Sequence, residues 1–252
     1  TSDLESKKGK YFQLKDEFGD ATMSFVGRDL RDVDLKKMDL RDKDLTGADL
    51  SGQDLRDVDL SSTIIRGANL SNTNLEGKDL SGMDIRGINF SNANMKNVNF
   101  IDAIFSKGIQ SYGNDCKDEE LSLDIIKRFD CDVTVITNED FRTNFTNANL
   151  SGSKFGNLEK EIIQIIHFAN FQNTDLSNIV AKNVQFVGCN FSNAKLDNIF
   201  AQQMYIVKSN FKNTQINNFN IKDTWLQMNL FENGEMKNGS FERLTLVNTH
   251  FS

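Results

Sequence analysis

The hydrophobic residues of this chain recur at every fifth position. One register runs over residues 25–105, reappears over 145–155, and returns, shifted by one residue, over 166–251. An α-helix repeats its apolar side about every 3.6 residues and a strand about every 2 residues, so neither element produces this spacing. The pattern predicts a repeat protein, in which each short unit buries its apolar residues against neighbouring units.

Each group of five residues, here called a quintet, has two inward and three outward positions. The residue two before the apolar centre is often small, and the residue just before the centre is mostly Asp or Asn. Stretches such as Ala48-Asp49-Leu50-Ser51-Gly52 and Ala148-Asn149-Leu150-Ser151-Gly152 resemble the A(D/N)Lxx signature of the pentapeptide-repeat family. The resemblance implies an all-β fold, a right-handed quadrilateral parallel β-helix with four quintets in each coil.

A coil of 20 residues also follows from the residues themselves. Ala181 and Ala201 are the smallest centres, and Ile179 and Ile199, two positions before them, are unusually large. If neighbouring coils stack these residues, large side chains offset small ones and the interior stays filled. The sequence contains no Pro, which fits this architecture because each coil uses its backbone N–H groups to bond the next coil.

Three segments interrupt the repeat and divide the chain. Residues 1–22 are predicted to cap the first block of coils at 23–105. Residues 106–141 form a non-repeat insert, for which the sequence predicts a short amphipathic helix followed by a strand. The second block covers 142–252 and contains a loop at 156–165 that absorbs the shift of one residue. Because each coil contacts only its neighbours, we expect the insert to be dispensable for the coils.

Composition and charge exclude several classes of protein. The formal net charge of -7 argues against a conventional nucleic-acid binder, which carries a basic face for the phosphates. The apolar runs are too short to span a bilayer, and no signal peptide is recognisable. A cytoplasmic location is therefore expected, with a virion or secreted location left open. Three cysteines in 252 residues do not make a disulfide framework.

The sequence offers little for catalysis. Its two histidines, His167 and His250, lie several coils apart, so they do not form a metal site together. Ser and Asp are the ordinary outward residues of the repeat, and no phosphate-binding glycine loop or Cys-x-x-Cys motif occurs. Cys189 occupies an inward position. We therefore expect a protein that is not an enzyme and uses no cofactor and no small-molecule substrate.

An acidic ladder is predicted on the first block. Its carboxylates stand just before apolar centres and recur on successive coils: Asp29, Asp34, Asp39, Asp49, Asp54, Asp59 and Asp79. Arginine and lysine residues lie among them, so one interpretation is a solvated lattice of charges that neutralise one another. The resemblance implies another, since some pentapeptide-repeat proteins mimic duplex DNA and protect type II topoisomerases from inhibitors.

An apolar patch is predicted on one side of the second block, where several outward positions of quintets 20 residues apart are not polar. The predicted contact residues are Ile165, Val187, Phe200, Tyr205, Val207, Trp225, Met228 and Val247. Tyr205 and Trp225 should stack one coil apart, and both residue types are frequent in binding hot spots. Either the patch contacts another protein or subunit, or the insert or the 156–165 loop covers it.

A second docking surface is predicted at the C-terminal end of the repeat. Apolar centres of the last coils would lie uncovered there: Phe231, Phe241, Leu246 and Phe251. Exposed apolar ends of solenoids drive association. The resemblance points the same way, because several relatives dimerise end to end.

The sequence thus predicts a rigid, non-catalytic scaffold for protein–protein interaction. Its partner is a second copy of itself in a homo-oligomer, or another protein in a larger assembly such as a virion or a secreted effector. Direct contact with nucleic acid is not expected. The alternative is a DNA-mimicking protein that binds and protects a type II topoisomerase.

Overall fold

The computed structural model of the chain describes residues 25–105, 142–156 and 163–252. In these ranges the chain is an all-β parallel solenoid, in which residues one coil apart lie side by side. Parallel bridges join Asp29 to Asp49, Asp49 to Asn69 and Asn69 to Asn89. The predicted parallel β-helix is confirmed, and its right-handed coiling stays an expectation from the resemblance.

The two blocks differ in how much regular strand they contain. The coils of residues 25–105 are joined by single-residue bridges, with a short 3-10 turn at Leu35–Lys37. The described residues of the second block form the strands β1 (Lys154–Gly156), β2 (Gln164–His167), β3 (Val180–Val187), β4 (Lys195–Asp197), β5 (Phe200–Val207), β6 (Gln215–Asn217), β7 (Asn220–Gln227), β8 (Leu230–Phe231), β9 (Glu235–Lys237), β10 (Ser240–Val247) and β11 (His250–Phe251). These strands form parallel sheets in the orders β1-β3-β5-β7-β10, with β2 also beside β3, β4-β6-β9 and β8-β11.

Each coil has four sides, named A to D here in chain order. Side A is centred on Leu30, Leu50, Leu70, Phe90, Phe145, Phe171, Phe191, Phe211, Phe231 and Phe251, and sides B and C follow it. Side D is centred on Phe25, Leu45, Ile65, Ile85, Phe105, Ile166, Phe186, Ile206, Leu226 and Leu246. Every described centre from Phe25 to Phe231 is buried. At about 4.8 Å per coil, the rod is about 45 Å long.

The corner after each side is made by the second residue that follows the centre. Most of these residues have a positive φ, as Gly67 at 67° and Asn193 at 57° do. Gly and Asn tolerate this left-handed conformation better than other residues, which explains why they recur at this position. The corner N–H also bonds the next coil, and Gly67 donates to the Arg86 carbonyl at 2.9 Å. Pro has no N–H to donate, so its absence from the sequence has a structural reason.

Aromatic stacking and asparagine ladders tie neighbouring coils together. The rings of side A in the second block stack at centroid distances of 4.5–5.0 Å, in the column Phe145, Phe171, Phe191, Phe211, Phe231 and Phe251. At several corners an Asn donates its side-chain N–H to the Asn of a neighbouring coil, as Asn193 does to Asn173 at 3.0 Å. The ring stacking and the asparagine hydrogen bonds both recur at intervals of one coil.

The predicted exchange of large and small residues inside the rod is confirmed. Ala181 lies beside Ala201 in strands β3 and β5, and the isoleucines two positions before them are buried. A small apolar cavity of about 30 Å³ remains between these coils. Further along side C, the small residue lies two positions before the centre instead. It is Gly239, and the Phe219 ring lies 2.3 Å from where a Cβ of residue 239 would be, so the ring occupies the space of the missing side chain.

The pairing register locates the extra residues. Asn89 and Asn144 are neighbours although they are 55 residues apart, and Asn147 and Asn173 are neighbours although they are 26 apart. The first insertion leaves side D after Phe105 and precedes side A. The second lies within the following coil, between its side C and its side D. Both insertions therefore adjoin side D, at its two opposite corners.

The second insertion is shorter than the predicted loop at 156–165. Strand β1 extends to Gly156 and strand β2 begins at Gln164, so both ends of the predicted loop belong to strands. The buried side chain of Gln164 joins the coils here, because its Nε2 donates to the Phe100 carbonyl at 2.6 Å and its Oε1 accepts the Gly156 N–H at 2.5 Å. The predicted cap at 1–22 and the insert at 106–141 lie outside the described residues.

Candidate functional site

Side D of the second block brings the predicted patch residues together. Pairing of β2, β3, β5, β7 and β10 creates a row just before the centres, made of Ile165, Gln185, Tyr205, Trp225 and Thr245. A second row just after the centres is made of His167, Val187, Val207, Gln227 and Val247. Tyr205 and Trp225 are thus direct neighbours on adjacent strands, while stacking of their rings stays a prediction.

The patch is less exposed than the sequence predicted. Val187 at 4% and Val207 at 8% exposure are buried, so their assignment as exposed contact residues is wrong. Gln185 and His167, which lie in the same two rows, are buried as well. The residues that stay half-buried are Ile165, Tyr205, Trp225, Met228 and Val247. Phe200 is 45% exposed and lies on the adjoining side C.

Exposed apolar residues of the first block lie on the same side D, which the sequence analysis missed. Val26, Ile64 and Ile104 are each between 45% and 49% exposed. Bridges of Ile64 to Asp44 and of Ile104 to Asp84 place both isoleucines in the row before the centres. The signal in the sequence was an Ile at an outward position where the repeat usually has Asp or Asn. Side D therefore carries exposed or half-buried apolar residues in both blocks.

The corner between sides D and A differs between the blocks. In the first block it is formed by Gly27, Gly47, Gly67 and Gly87. In the second block Phe168, Lys208 and Met228 stand there, with φ of 53°, 51° and 53°. A left-handed backbone costs a residue with a Cβ roughly 1 kcal/mol or more, so these three positions are strained.

Phe168 is held in place at this corner by the residues on either side of it. The next residue in the corner column, Gly188, has no side chain because the Phe168 ring lies 2.4 Å from where its Cβ would be. The guanidinium carbon of Arg142 lies 5.7 Å from the centroid of the same ring. Since Arg142 is the first described residue after the insert, Phe168 marks the point where the insert rejoins the rod.

The acidic ladder lies on sides A, B and C, and its charges are paired. Nε and Nη2 of Arg41 donate to the Asp39 carboxylate at 2.8 and 2.7 Å, and these hydrogen bonds lower the pKa of Asp39 to about 2. Asp29 and Asp54 have the same arrangement with the arginines two residues later. Ion pairs or hydrogen bonds also hold Asp34, Asp49, Asp59 and Asp79. These contacts support the interpretation as a lattice of charges that neutralise one another.

The nucleophile and base candidates of the second block are unsuited to catalysis. Burial raises the pKa of the Cys189 thiol to about 12, so the thiol stays protonated at neutral pH. Burial lowers the pKa of His167 to about 4, so its imidazole is uncharged at neutral pH. Among the described residues, no group of three His, Cys, Asp or Glu side chains is arranged to hold a metal ion.

The last coil exposes most of the predicted end surface. Phe241, Leu246 and Phe251 are 39%, 51% and 50% exposed. Phe231 is only 6% exposed, so its assignment to the end surface is wrong. The reason is the ring of Phe251, which stacks on Phe231 at 4.9 Å and covers it.

Within residues 25–105, 142–156 and 163–252, no helix has the length and apolar character needed to cross a membrane.

The solved structures that are similar to this chain at low sequence identity include the following three. A trypsin-treated form of QnrB1, a plasmid-mediated fluoroquinolone resistance protein, is 12% identical, with 88% of this chain and 92% of that chain covered and a TM-score of 0.35. Rfr23, a pentapeptide repeat protein from the cyanobacterium Cyanothece 51142, is 18% identical, with 66% and 89% covered and a TM-score of 0.26. HetL, a pentapeptide repeat protein involved in heterocyst differentiation regulation from the cyanobacterium Nostoc sp. strain PCC 7120, is 14% identical, with 84% and 86% covered and a TM-score of 0.24.

A family model gives the stronger result. No curated protein matches the chain. The model of the pentapeptide repeats matches in 8 copies, over residues 29–67, 44–82, 79–108, 166–200 and 185–223. These segments together span more than half of the chain and coincide with the quintets that build the coils. The chain therefore belongs to the pentapeptide repeat family.

Proposed function

We propose that the protein is a non-catalytic scaffold that binds a protein partner through side D. One observation carries the proposal: the exposed apolar residues Val26, Ile64 and Ile104 lie on the same side of the rod as Tyr205 and Trp225, beside the strained D–A corner. Residues in strained backbone conformations cluster at functional sites, because the strain is costly and persists only where the surrounding structure maintains it. Insertions in repeat proteins often mark the binding face, and both insertions of this chain adjoin side D.

Tyr205 and Trp225 are the central anchors in this proposal. They are neighbours in β5 and β7, and they remain half-buried while the shorter valines beside them are covered. Large aromatic residues dominate binding hot spots because they bury much area with few rotatable bonds. The hydrogen-bonded coils hold both residues in fixed positions, so that a partner orders little of the scaffold on binding.

The last coil serves as a second contact surface in the same proposal. Phe241, Leu246 and Phe251 present apolar surface at the end of the stacked coils, where a second copy or another protein would continue the stack. Leu246→Asp should then reduce the assembled state in sedimentation velocity, because a charge would be buried in the contact. Unchanged sedimentation, and an unchanged set of co-purifying proteins, would contradict this contact.

The test of side D is a double variant with a matched control. Tyr205→Ala with Trp225→Ala should weaken partner binding or self-association by about 2 kcal/mol or more, with little change in thermal stability. Gln215→Ala with Glu235→Ala changes the equivalent row of side B on adjacent coils and should leave binding unchanged. Quantitative co-purification from the source cells and sedimentation velocity read the result. Loss of stability with an unchanged assembly would show that the pair is part of the fold and would refute the proposal.

The alternative function is a DNA-mimicking protein that binds and protects a type II topoisomerase. In its favour, ladder carboxylates recur at the coil spacing, as Asp29 and Asp49 do. Against it, the paired arginines reduce the negative potential that imitation of phosphates needs. The test adds stoichiometric protein to gyrase supercoiling in the presence of a fluoroquinolone. We expect no rescue, and rescue would favour the alternative over the scaffold.

A further inference from the structure

The small cavity inside the second block has an entirely apolar wall. Its volume is about 30 Å³, and it lies where the alanine centres Ala181 and Ala201 face the interior of the coils. Rings from two other sides of the rod, among them Phe171 and Phe186, complete the wall together with the flexible side chain of Met204. Every side chain that lines the cavity is Phe, Leu, Ile, Ala or Met.

The cavity follows from two adjacent small centres in one column of the repeat. On side C, the pairing register places Ala181 directly after Phe155 and directly before Ala201. Two successive alanines leave a gap that extends over two coils, and the isoleucines two positions before them fill only part of it. The hydrogen-bonded strands hold neighbouring coils about 4.8 Å apart, so the wall cannot close around the gap.

The chemistry of the wall decides what the cavity can hold. A buried water molecule needs two to four polar partners, and the lining side chains, all within the described second block, supply none. Size alone would admit a water molecule, which needs roughly 10–15 Å³. Apolar cavities exclude water, and one of about 150 Å³ in another protein takes up benzene or xenon. The present cavity, at about 30 Å³, is too small for benzene by this comparison.

We propose that the cavity is a binding site for an apolar molecule of one or two heavy atoms, the class that includes xenon, dinitrogen and dioxygen. Such a molecule gains dispersion contacts with wall atoms that otherwise have no neighbour on one side. A ligand this small binds weakly, with a dissociation constant in the millimolar range or above. The site is internal, so the proposal does not rest on the scaffold function.

The experiment titrates the full chain with xenon under pressure and follows the NMR signals of its methyl groups. The methyl groups of Ala181 and Ala201 report on the cavity. Ala48 and Ala68, which are buried at inward positions of the first block, are the control signals. We expect xenon to shift the first pair several-fold more than the second. Equal shifts in both pairs would show that xenon dissolves throughout the interior, and would overturn the site.

Two variants that fill the gap test where xenon binds. Ala201→Val, and separately Ala181→Val, add two methyl groups to the cavity, so the xenon shift at the remaining alanine should be lost. Each variant should also raise the midpoint of thermal unfolding by roughly 2–4 °C, because an internal gap is filled. Shifts that persist in both variants would place xenon elsewhere and overturn the site, as would a lower midpoint in both.

Gln202→Leu is the matched control for these variants. It places a larger apolar side chain one position further along β5, on the outer surface of the rod, and should leave the xenon shifts at Ala181 and Ala201 as they are. Loss of the shifts in this control would show that they do not report on the interior, and would overturn the site.

The size and dryness of the cavity have separate tests. Ile199→Ala enlarges the cavity and should let benzene shift the methyl groups of Ala181 and Ala201, which it should not do in the natural protein. Benzene binding to the natural protein would overturn the proposed ligand class. Magnetisation transfer from a long-lived water molecule to either methyl group would show a hydrated cavity and would overturn the apolar site.

Discussion

The two blocks of the rod share one backbone repeat but use it differently. In residues 25–105 the centres are mostly Leu, the D–A corner is glycine at each coil from Gly27 to Gly87, and carboxylates are paired with arginines two residues later. In residues 163–252 the centres of side A are stacked Phe residues, strands of eight residues run past the corners, and bulky residues occupy the D–A corner. The first block follows the requirements of the backbone closely, while the second departs from them on one side.

The second block departs from the first in the length of its strands and in the residues of its D–A corner. Outward Val, Tyr, Trp and Thr residues favour strands, which explains the longer β3, β5, β7 and β10. Strand preference does not account for Lys208 or Met228 in a left-handed corner, where Gly67 and Gly87 show what the backbone prefers. The proposal that side D binds a partner would account for them.

The largest expected effect tests the core of the second block. Phe191→Ala should lower the free energy of unfolding by about 4 kcal/mol, because its ring is buried and stacked between those of Phe171 and Phe211. Phe251→Ala is the matched control, since that ring stacks in the same column but is 50% exposed. Urea unfolding measures both variants. A loss below about 1 kcal/mol for Phe191→Ala would show that the column does not stabilise the block.

The second prediction separates the blocks by pH. Burial lowers the pKa of His167 from 6.5 to about 4, so the unfolded chain takes up a proton before the folded chain does as the pH falls. The part of the stability that depends on His167 should therefore drop by about 3 kcal/mol between pH 6.5 and pH 4 and change no further below that. In the first block Asp39, with its pKa lowered to about 2, contributes stability that is lost only as the pH falls below its ordinary value of 3.8.

His167→Gln is the control for this window. This variant should remove the pH dependence of stability between pH 6.5 and pH 4 and keep the loss of stability at lower pH. Urea unfolding at a series of pH values measures it. An unchanged slope in the variant would assign the dependence to other groups.

The third prediction places a bulky residue at the D–A corner of the first block. Gly67→Lys should destabilise the protein by roughly 1–2 kcal/mol, because φ at this corner is 67° and a Cβ favours the right-handed regions. No heavy atom lies within 4 Å of the added Cβ, so the cost comes from the backbone alone. Asn72→Lys, at a corner of side A with φ of 59°, should cost less, because Asn already carries a Cβ. An unchanged free energy of unfolding in urea would show that a side chain does not strain these corners.

Much of the fold could be predicted from the sequence, because the quintet alone decides which residues point inward. That local rule accounts for the buried centres from Phe25 to Phe231, for the coil of 20 residues and for the lack of Pro in the sequence. Exposure of the outward residues could not be predicted in the same way. It depends on residues distant in the sequence, as the ring of Phe251 that covers Phe231 shows, and Val187 likewise proved buried.

The candidate site was predicted in part for the same reason. Tyr205 and Trp225 stood out as large aromatic residues at outward positions, so a single column of the repeat revealed them. Ile64 and Ile104 were missed because they alternate with Asp44 and Asp84, and each looks like an isolated exception until the coils are aligned. Gln164 was missed as well, since its role in joining coils depends on where an insertion enters.

The most direct test of the central claim is the stability of Lys208→Asn together with its binding. Lys208 is exposed and has a φ of 51°, and Asn tolerates this conformation better, so the change relieves backbone strain. If the corner is shaped for a partner, urea unfolding should show a gain of about 0.5–1 kcal/mol, while co-purification of the partner falls. A loss of stability with unchanged co-purification would show that Lys208 serves the fold, and would contradict the claim that side D is shaped for binding.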